Sequence, residues 1–390
     1  MRRLAARPKV ILSGAMRSVA APLEVILSGA MRSIAKSKDL PRTLACLALG
    51  SSLALAQGAE RDVWLRDFRF ASGERLDSLR MHVTTLGQPQ RDATGTVRNA
   101  VLVLHGTTGT GRAFLGPGFA GVLFGAGQPL DTARYFVVLP DGIGHGKSSK
   151  PSDGLKGRFP RYDYADMVRA EQRLLGEGFG IHHVRLVVGT SMGCMHAWLI
   201  ATAAPDYAVG IVPLACVPTA IAGRNRMWRT LAVDAVRGDP AYNAGEYTAQ
   251  PPGLIQAMRV FVLVLGSPRS IQAAAPTRDA ADAYAREQIR SRGASMDAND
   301  FIWALEASRT YDPSAELGHV RAKVLAINFS DDLVNPPELG LMEALMPRVA
   351  GARFVLWPIT DATRGHGTHS LPAIWKDELV RFLPALPPEP

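Results

Sequence analysis

Apolar positions along the chain change their period twice, and the changes divide it into parts. Over residues 64–70 and 79–84 apolar and polar positions alternate, which predicts an antiparallel pair of strands. The pattern then shifts to short unbroken apolar runs at 101–105, 135–140, 184–188 and 209–214, suited to parallel strands buried on both faces. Strand signals stop at 218. From there to about 313 the chain is rich in Ala, Arg, Met and Tyr, with helical spacing over 279–292 and 300–309. Two further strands are expected at 323–329 and 353–358, a closing helix at 372–383, and a frayed Pro-rich tail from Pro384. The predicted architecture is a mostly parallel, doubly wound α/β sheet over 57–217 and 314–390, interrupted by a helical cap at 218–313.

Ahead of this pattern residues 1–56 have a different character. Arg32, Lys36, Lys38 and Arg42 form a basic stretch, residues 44–55 an apolar one, and Ala54-Leu55-Ala56 fits a signal-peptidase site before Gln57. Residues 10–18 recur at 25–33, and a start at Met31 gives a leader of ordinary length. The expectation is export, to the periplasm or beyond, with cleavage after Ala56. The apolar run is too short for a stable membrane span.

Charge adds little once the leader is set aside. The formal charge is +9, but residues 1–56 hold nine Lys/Arg against two Asp/Glu, so the rest is nearly balanced. No nucleic-acid partner is therefore expected. Cys194 and Cys216 lie in apolar sequence and read as buried free thiols, with a disulfide as the alternative. No metal site emerges: His366 and His369 are close, without H-E-x-x-H or paired Cys spacing. No cofactor is expected.

Candidate chemistry centres on Gly189-Thr190-Ser191-Met192-Gly193, a G-x-S-x-G between a strand run and a helical run at 194–204. The glycines suit a turn so tight that side chains there would meet neighbouring backbone. A serine hydroxyl is a weak nucleophile at neutral pH and needs a base, which in turn needs an orienting acid. Both follow later strands in the order this topology demands: Ser330-Asp331-Asp332-Leu333-Val334-Asn335-Pro336 after 323–329, and Arg364-Gly365-His366-Gly367-Thr368-His369 after 353–358. His366 is assigned as base and His369 as a supporting or surface residue. Asp331 and Asp332 are both candidates for the acid. Oxyanion donors are expected at the backbone N–H of Met192 and, in the loop His105-Gly106-Thr107-Thr108-Gly109, of Thr107.

Two glycine-rich segments invite other readings and fail them. Gly144-His145-Gly146-Lys147-Ser148 ends like a phosphate-binding loop, but position 141 is Asp141 and no helix follows; loop 106–112 lacks dinucleotide-binding spacing. Asp141 and Asp361 read as turn formers.

Taken together, these motifs resemble the homoserine O-acetyltransferase-like group of α/β-hydrolase-fold proteins. The likeness is carried by Leu104-His105-Gly106, by residues 139–149, by the elbow, by Gly223-Arg224-Asn225-Arg226-Met227-Trp228 and by the two late loops. It implies that an arginine at the start of the cap, Arg224 or Arg226, binds a substrate carboxylate, and that Ser191 carries an acyl group. Enzymes of this kind commonly place a proline four residues after the orienting acid, and Pro336 on that resemblance favours Asp332. The chain departs from that group at Thr190, Cys194 and Gly367, and an exported protein meets little acetyl-CoA. The expected function is thus a serine hydrolase acting on a small acyl substrate, with O-acyl transfer as the alternative and a non-catalytic binding protein as a third. A homodimer through the cap and a pocket partly lined by Met227, Trp228, Met258 and Phe261 complete the expectations.

Overall fold

The computed structural model describes residues 58–387. The leader, its cleavage site and the last three residues lie outside them.

Eight strands form one sheet in the order β1-β2-β4-β3-β5-β6-β7-β8. β1 (Ala59–Arg69) and β2 (Arg75–Leu86) are the antiparallel entry, and β2 pairs antiparallel with β4 (Phe136–Pro140). From there β4, β3 (Ala100–Leu104), β5 (Val184–Thr190), β6 (Ala208–Leu214), β7 (Lys323–Phe329) and β8 (Arg353–Trp357) run parallel. The unbroken apolar runs have a simple cause. Alternate residues of β3 go to opposite faces, Leu102 and Leu104 into one hydrophobic cluster and Val101 and Val103 into another, so neither face tolerates a polar side chain. This is the α/β-hydrolase arrangement, and every loop leaving the carboxyl end of a parallel strand opens on the same edge.

Helices cover both faces. α1 (Tyr164–Phe179) is started by a reciprocal cap, Asp163 accepting from the Asp166 N–H and the Asp166 side chain from the Asp163 N–H, and is stopped by Gly180 in the left-handed region (φ 66°). α2 (Met192–Ala203) is almost wholly buried and apolar apart from His196, paired with Glu171, and Thr202, as suits a helix packed directly behind the central strands.

Between β6 and β7 the described chain is helical: α3 (Gly223–Arg237), α4 (Pro252–Leu265), α5 (Pro268–Ala274), α6 (Arg278–Ala294) and α7 (Ala298–Glu306). These helices have their own apolar cluster, built on Trp228, Val233, Leu254, Met258, Phe261 and Ile302, and it takes in Val334 from the loop after β7. Polar ties also join cap and core: Trp303 donates to the carbonyls of Phe159 and Pro160, and Tyr311 to that of Val217. No single described helix is long and apolar enough to cross a membrane; α4 and α5 together are, but bend by 106°.

Cys194 and Cys216 are joined in a disulfide, correcting the reading of two free thiols. The first turn of α2 lies beside the end of β6, bringing the two Cα atoms to 6.0 Å, inside the range a disulfide spans. That proximity depends on how α2 packs against the sheet, which spacing along the chain does not reveal.

Candidate active site

Ser191 sits at the carboxyl end of β5 with φ 53° and ψ −108°, a conformation that costs a non-glycine residue on the order of 1–3 kcal/mol and holds the hydroxyl clear of the helix it precedes. The flanking glycines are sterically required. A Cβ on Gly189 would lie 2.0 Å from the Gly193 carbonyl oxygen, and one on Gly193 2.3 Å from that of Leu104.

Ser191 Oγ lies 2.8 Å from His366 Nε2, and His366 Nδ1 lies 2.8 Å from Asp332 Oδ2. An ionised carboxylate only accepts, so Nδ1 carries the proton and Nε2 is free to accept from the serine. Asp332 is fully buried. Desolvation alone would raise its pKa, but the imidazole of His366 and the N–H groups of Val334 and Asn335 outweigh that and hold it below the usual carboxylate range. Asn335 Nδ2 adds a further donor at 3.3 Å.

Asp331 has a different task. Its Oδ2 accepts from Thr363 Oγ1 at 2.9 Å and from the Gly365 N–H at 3.0 Å, fastening the loop after β7 to the loop that carries His366. Gly365 has φ 61°, and a Cβ there would press on the backbone of Ser267 from the cap. His369 is half-buried against the cavity, its ring edge-to-face with that of His366 at 5.1 Å; burial, and then His366, lower its pKa to about 3, so it is neutral.

The loop after β3 runs beside the serine: a Cβ on Gly106 would be 3.3 Å from Ser191 Cβ. Neither the Met192 nor the Thr107 N–H is used by a protein acceptor among the described residues, leaving both available to an oxyanion. Two buried histidines shape this loop. His105 Nδ1 donates to the Gly106 carbonyl at 2.8 Å while its Nε2 accepts from the Gly142 N–H at 3.0 Å, and His145 Nε2 meets the Thr107 carbonyl at 2.6 Å. Burial lowers the pKa of both, His105 to about 3. The phosphate-loop look-alike is therefore a structural support. Asp141 inside it accepts from the N–H groups of Gly111 and Lys147, and a Cβ on Gly146 would lie 2.1 Å from Asp141 Oδ2.

A cavity of about 410 Å³ opens over Ser191, with core loops on one side and α3, α4, α5 and α6 on the other. Trp228 and Phe261 line it, whereas Met258 is buried in the cap cluster and Met227 faces solvent, 63% exposed. The arginines expected at the cavity are elsewhere: Arg224 donates to the Leu333 carbonyl, and Arg226 pairs with Glu306. Arg229 lines the cavity instead. It is 3% exposed and held by neutral groups, Asn225 Oδ1 at 3.1 Å and Ser308 Oγ at 3.3 Å, with its guanidinium 4.6 Å from the Trp228 ring centroid. Beside it lies the buried Tyr164 phenol, next to Thr107 and Ser308. No spacing signal separates Arg229 from its neighbours, since Arg226 lies three residues before it on α3 and shares its side of the helix.

Comparison with known proteins agrees with this architecture. Residues 99–252 match the family model for the alpha/beta hydrolase fold. The chain is 30% identical over 305 residues to a probable acyltransferase of Methanothermobacter thermautotrophicus, covering 77% of this chain and 90% of that one. Among solved structures it matches an acetylester hydrolase from Corynebacterium glutamicum (TM-score 0.70, 22% identity, 85% of this chain and 96% of that). It also matches a homoserine O-acetyltransferase from Bacillus anthracis (TM-score 0.72, 21% identity, 83% and 97%). At such identities the structural matches speak to the fold, which serves hydrolysis in one neighbour and acyl transfer in the other.

Proposed function

We propose, from the premise that the chain belongs to the α/β-hydrolase fold family, that it is a serine hydrolase cleaving an ester or related acyl compound through an acyl-enzyme. The observation that carries the reading is the continuous line from Ser191 Oγ through both nitrogens of His366 to Asp332, with both contacts at 2.8 Å. In this mechanism His366 Nε2 takes the serine proton as Oγ attacks the carbonyl carbon, and the Asp332 carboxylate stabilises the imidazolium. The N–H groups of Met192 and Thr107 meet the oxyanion. His366 then returns the proton to the departing alcohol, and water, activated by the same nitrogen, releases the acid.

Water is the favoured acceptor because the protein is read as exported. Support comes from the basic-apolar leader ending at Ala56 and from the Cys194–Cys216 bond, since disulfides persist in oxidising compartments. A second reading, transfer of the acyl group to a carboxylate-bearing alcohol, is favoured by Arg229, a buried cation with only neutral partners at the cavity wall.

Short 4-nitrophenyl esters, tested without added alcohol, separate the readings. Steady turnover that Ser191→Ala reduces by roughly a thousandfold or more supports hydrolysis. Mass spectrometry after brief exposure to acetyl-CoA gives the opposing result: an acetyl group on Ser191 that water leaves in place and homoserine removes would replace hydrolysis by transfer.

A further inference from the structure

The cap wall carries charge that the proposed chemistry does not use. Three arginines line the cavity, Arg229, Arg292 and Arg364, and no Asp or Glu does. Arg364 is spent on its own loop, donating to the carbonyls of Asp361 and Thr363. Arg229 and Arg292 remain without an acid. Among the described residues neither forms an ion pair, and Arg292 Nε is buried with no hydrogen-bond partner.

α6 shows that the orientation of Arg292 is specific. Arg286 and Arg290 on the same helix pair with Asp282 and Glu287, as arginines on a solvated helix commonly do. Arg292 instead shares a stripe with Tyr284 and Gln288, at intervals of four, and all three line the cavity. The rest of the helix is largely solvated: Gly293 is its one fully buried residue, and Ile289 packs on the cap cluster. That glycine also sets the approach: a Cβ would come within 2.5 Å of Ile255 Cδ1, so α6 lies close on α4 just where Arg292 meets the cavity. Burial lowers the pKa of both Arg229 and Arg292, the direction expected of cations withdrawn from water without a counter-charge.

We propose that the α6 stripe of Tyr284, Gln288 and Arg292 is a second anion subsite of this cavity, and that the physiological substrate is an acyl compound with two anionic groups, one for Arg229 and one for Arg292. Each group is a carboxylate or a phosphate; the guanidinium fork meets either through paired N–H donors. Arg229, beside the Tyr164 phenol and hence the Thr107 loop, takes the group nearer the scissile bond. The inference rests on the hydrolase reading for what is cleaved, though not for what is bound.

The test is competitive inhibition of 4-nitrophenyl acetate turnover by butyrate, glutarate, inorganic phosphate and neutral glutaramide. Glutarate is expected to bind at least tenfold tighter than butyrate or glutaramide, and Arg292→Gln and Arg229→Gln are each expected to weaken it about tenfold or more. Gln288→Leu, which keeps the charge, should weaken it less. Phosphate inhibition that falls with Arg292→Gln alone would assign that subsite to phosphate. Equal inhibition by glutarate and glutaramide, or glutarate inhibition insensitive to Arg292→Gln, overturns the proposal. If the parent turns over no ester, the hydrolase reading fails by itself, and calorimetric titration of glutarate into the parent and the Arg292→Gln protein decides the subsite.

Discussion

On the core side of the cavity the polar groups are fastened to one another, whereas on the cap side the arginines face it without an acid. Asp332 accepts from His366, Val334 and Asn335; Asp331 binds the two late loops together; His105 and His145 hold the loop that carries Thr107. Such a wall is complete before anything binds, as electrostatic catalysis requires, because a group that must reorganise during the reaction contributes less to the transition state. Arg229 and Arg292 have no such closure. A buried cation with neutral partners lacks a charge that a ligand can bring. The core wall thus fits a reaction, and the cap wall fits a choice of molecule.

The largest effect tests the core wall at its least exposed member. Asp332→Asn should lower kcat by roughly ten-thousand-fold on every ester alike, since the amide stabilises the wrong tautomer of His366. Asp331→Asn should cost far less in kcat, with its loss visible in thermal stability, because its carboxylate touches Thr363 and Gly365 and not the imidazole. Steady-state kinetics of the two variants on one ester decides it, and an equal loss in kcat would remove the distinction drawn between the two aspartates.

Next in size is the cap wall. Arg229→Gln should raise KM for a carboxylate-bearing acceptor or ester by about ten- to a hundredfold, the range of a charge-assisted hydrogen bond, and shift KM for a neutral ester much less. A uniform fall in kcat on both would mean that Arg229 serves the Thr107 loop through Tyr164 and belongs with the core wall.

The same contrast explains what was legible in the sequence. Strand positions could be read because β3 to β7 are buried on both faces and leave unbroken apolar runs, whereas the exchange of β3 and β4 in the sheet leaves no mark on those runs. Ser191 and His366 could be singled out because backbone geometry beside each demands glycine, at 189 and 193 and at 365, whereas Asp332 is favoured over Asp331 only by a resemblance, through Pro336. The cap has no such punctuation. Arg224, Arg226 and Arg229 share one helix, and only packing of α3 against Phe261 and Ser308 decides which of them faces inward. For Cys194 and Cys216, likewise, the partner is set by how α2 lies beside β6.

That disulfide gives a smaller, purely structural test of the core. Replacing both cysteines with serine should cost about 3 kcal/mol for a loop of this length, since the separation is 22 residues. The melting temperature should fall by several degrees, and reductant should lower the parent's by a similar amount. Complete alkylation of both thiols in the unfolded parent without prior reduction would show that the bond is absent.

The smallest effect concerns His369, where the two walls meet at the cavity. Its pKa is lowered to about 3 by burial and by His366, below the value near 6.5 of an unfolded histidine. Between those values the unfolded chain binds a proton that the folded chain does not, so acidification through this window favours unfolding; His105, also lowered to about 3, acts in the same direction. His369→Phe retains a ring against His366 and removes one such site. At pH 5 its stability should therefore change less steeply with pH than the parent's, by about 1.4 kcal/mol per pH unit, as read from urea denaturation at closely spaced pH values. Identical slopes would mean that His369 is protonated in the folded protein. It would then add a positive charge beside His366, and the proposed anion subsites of the cap wall would be joined by a cation on the core side.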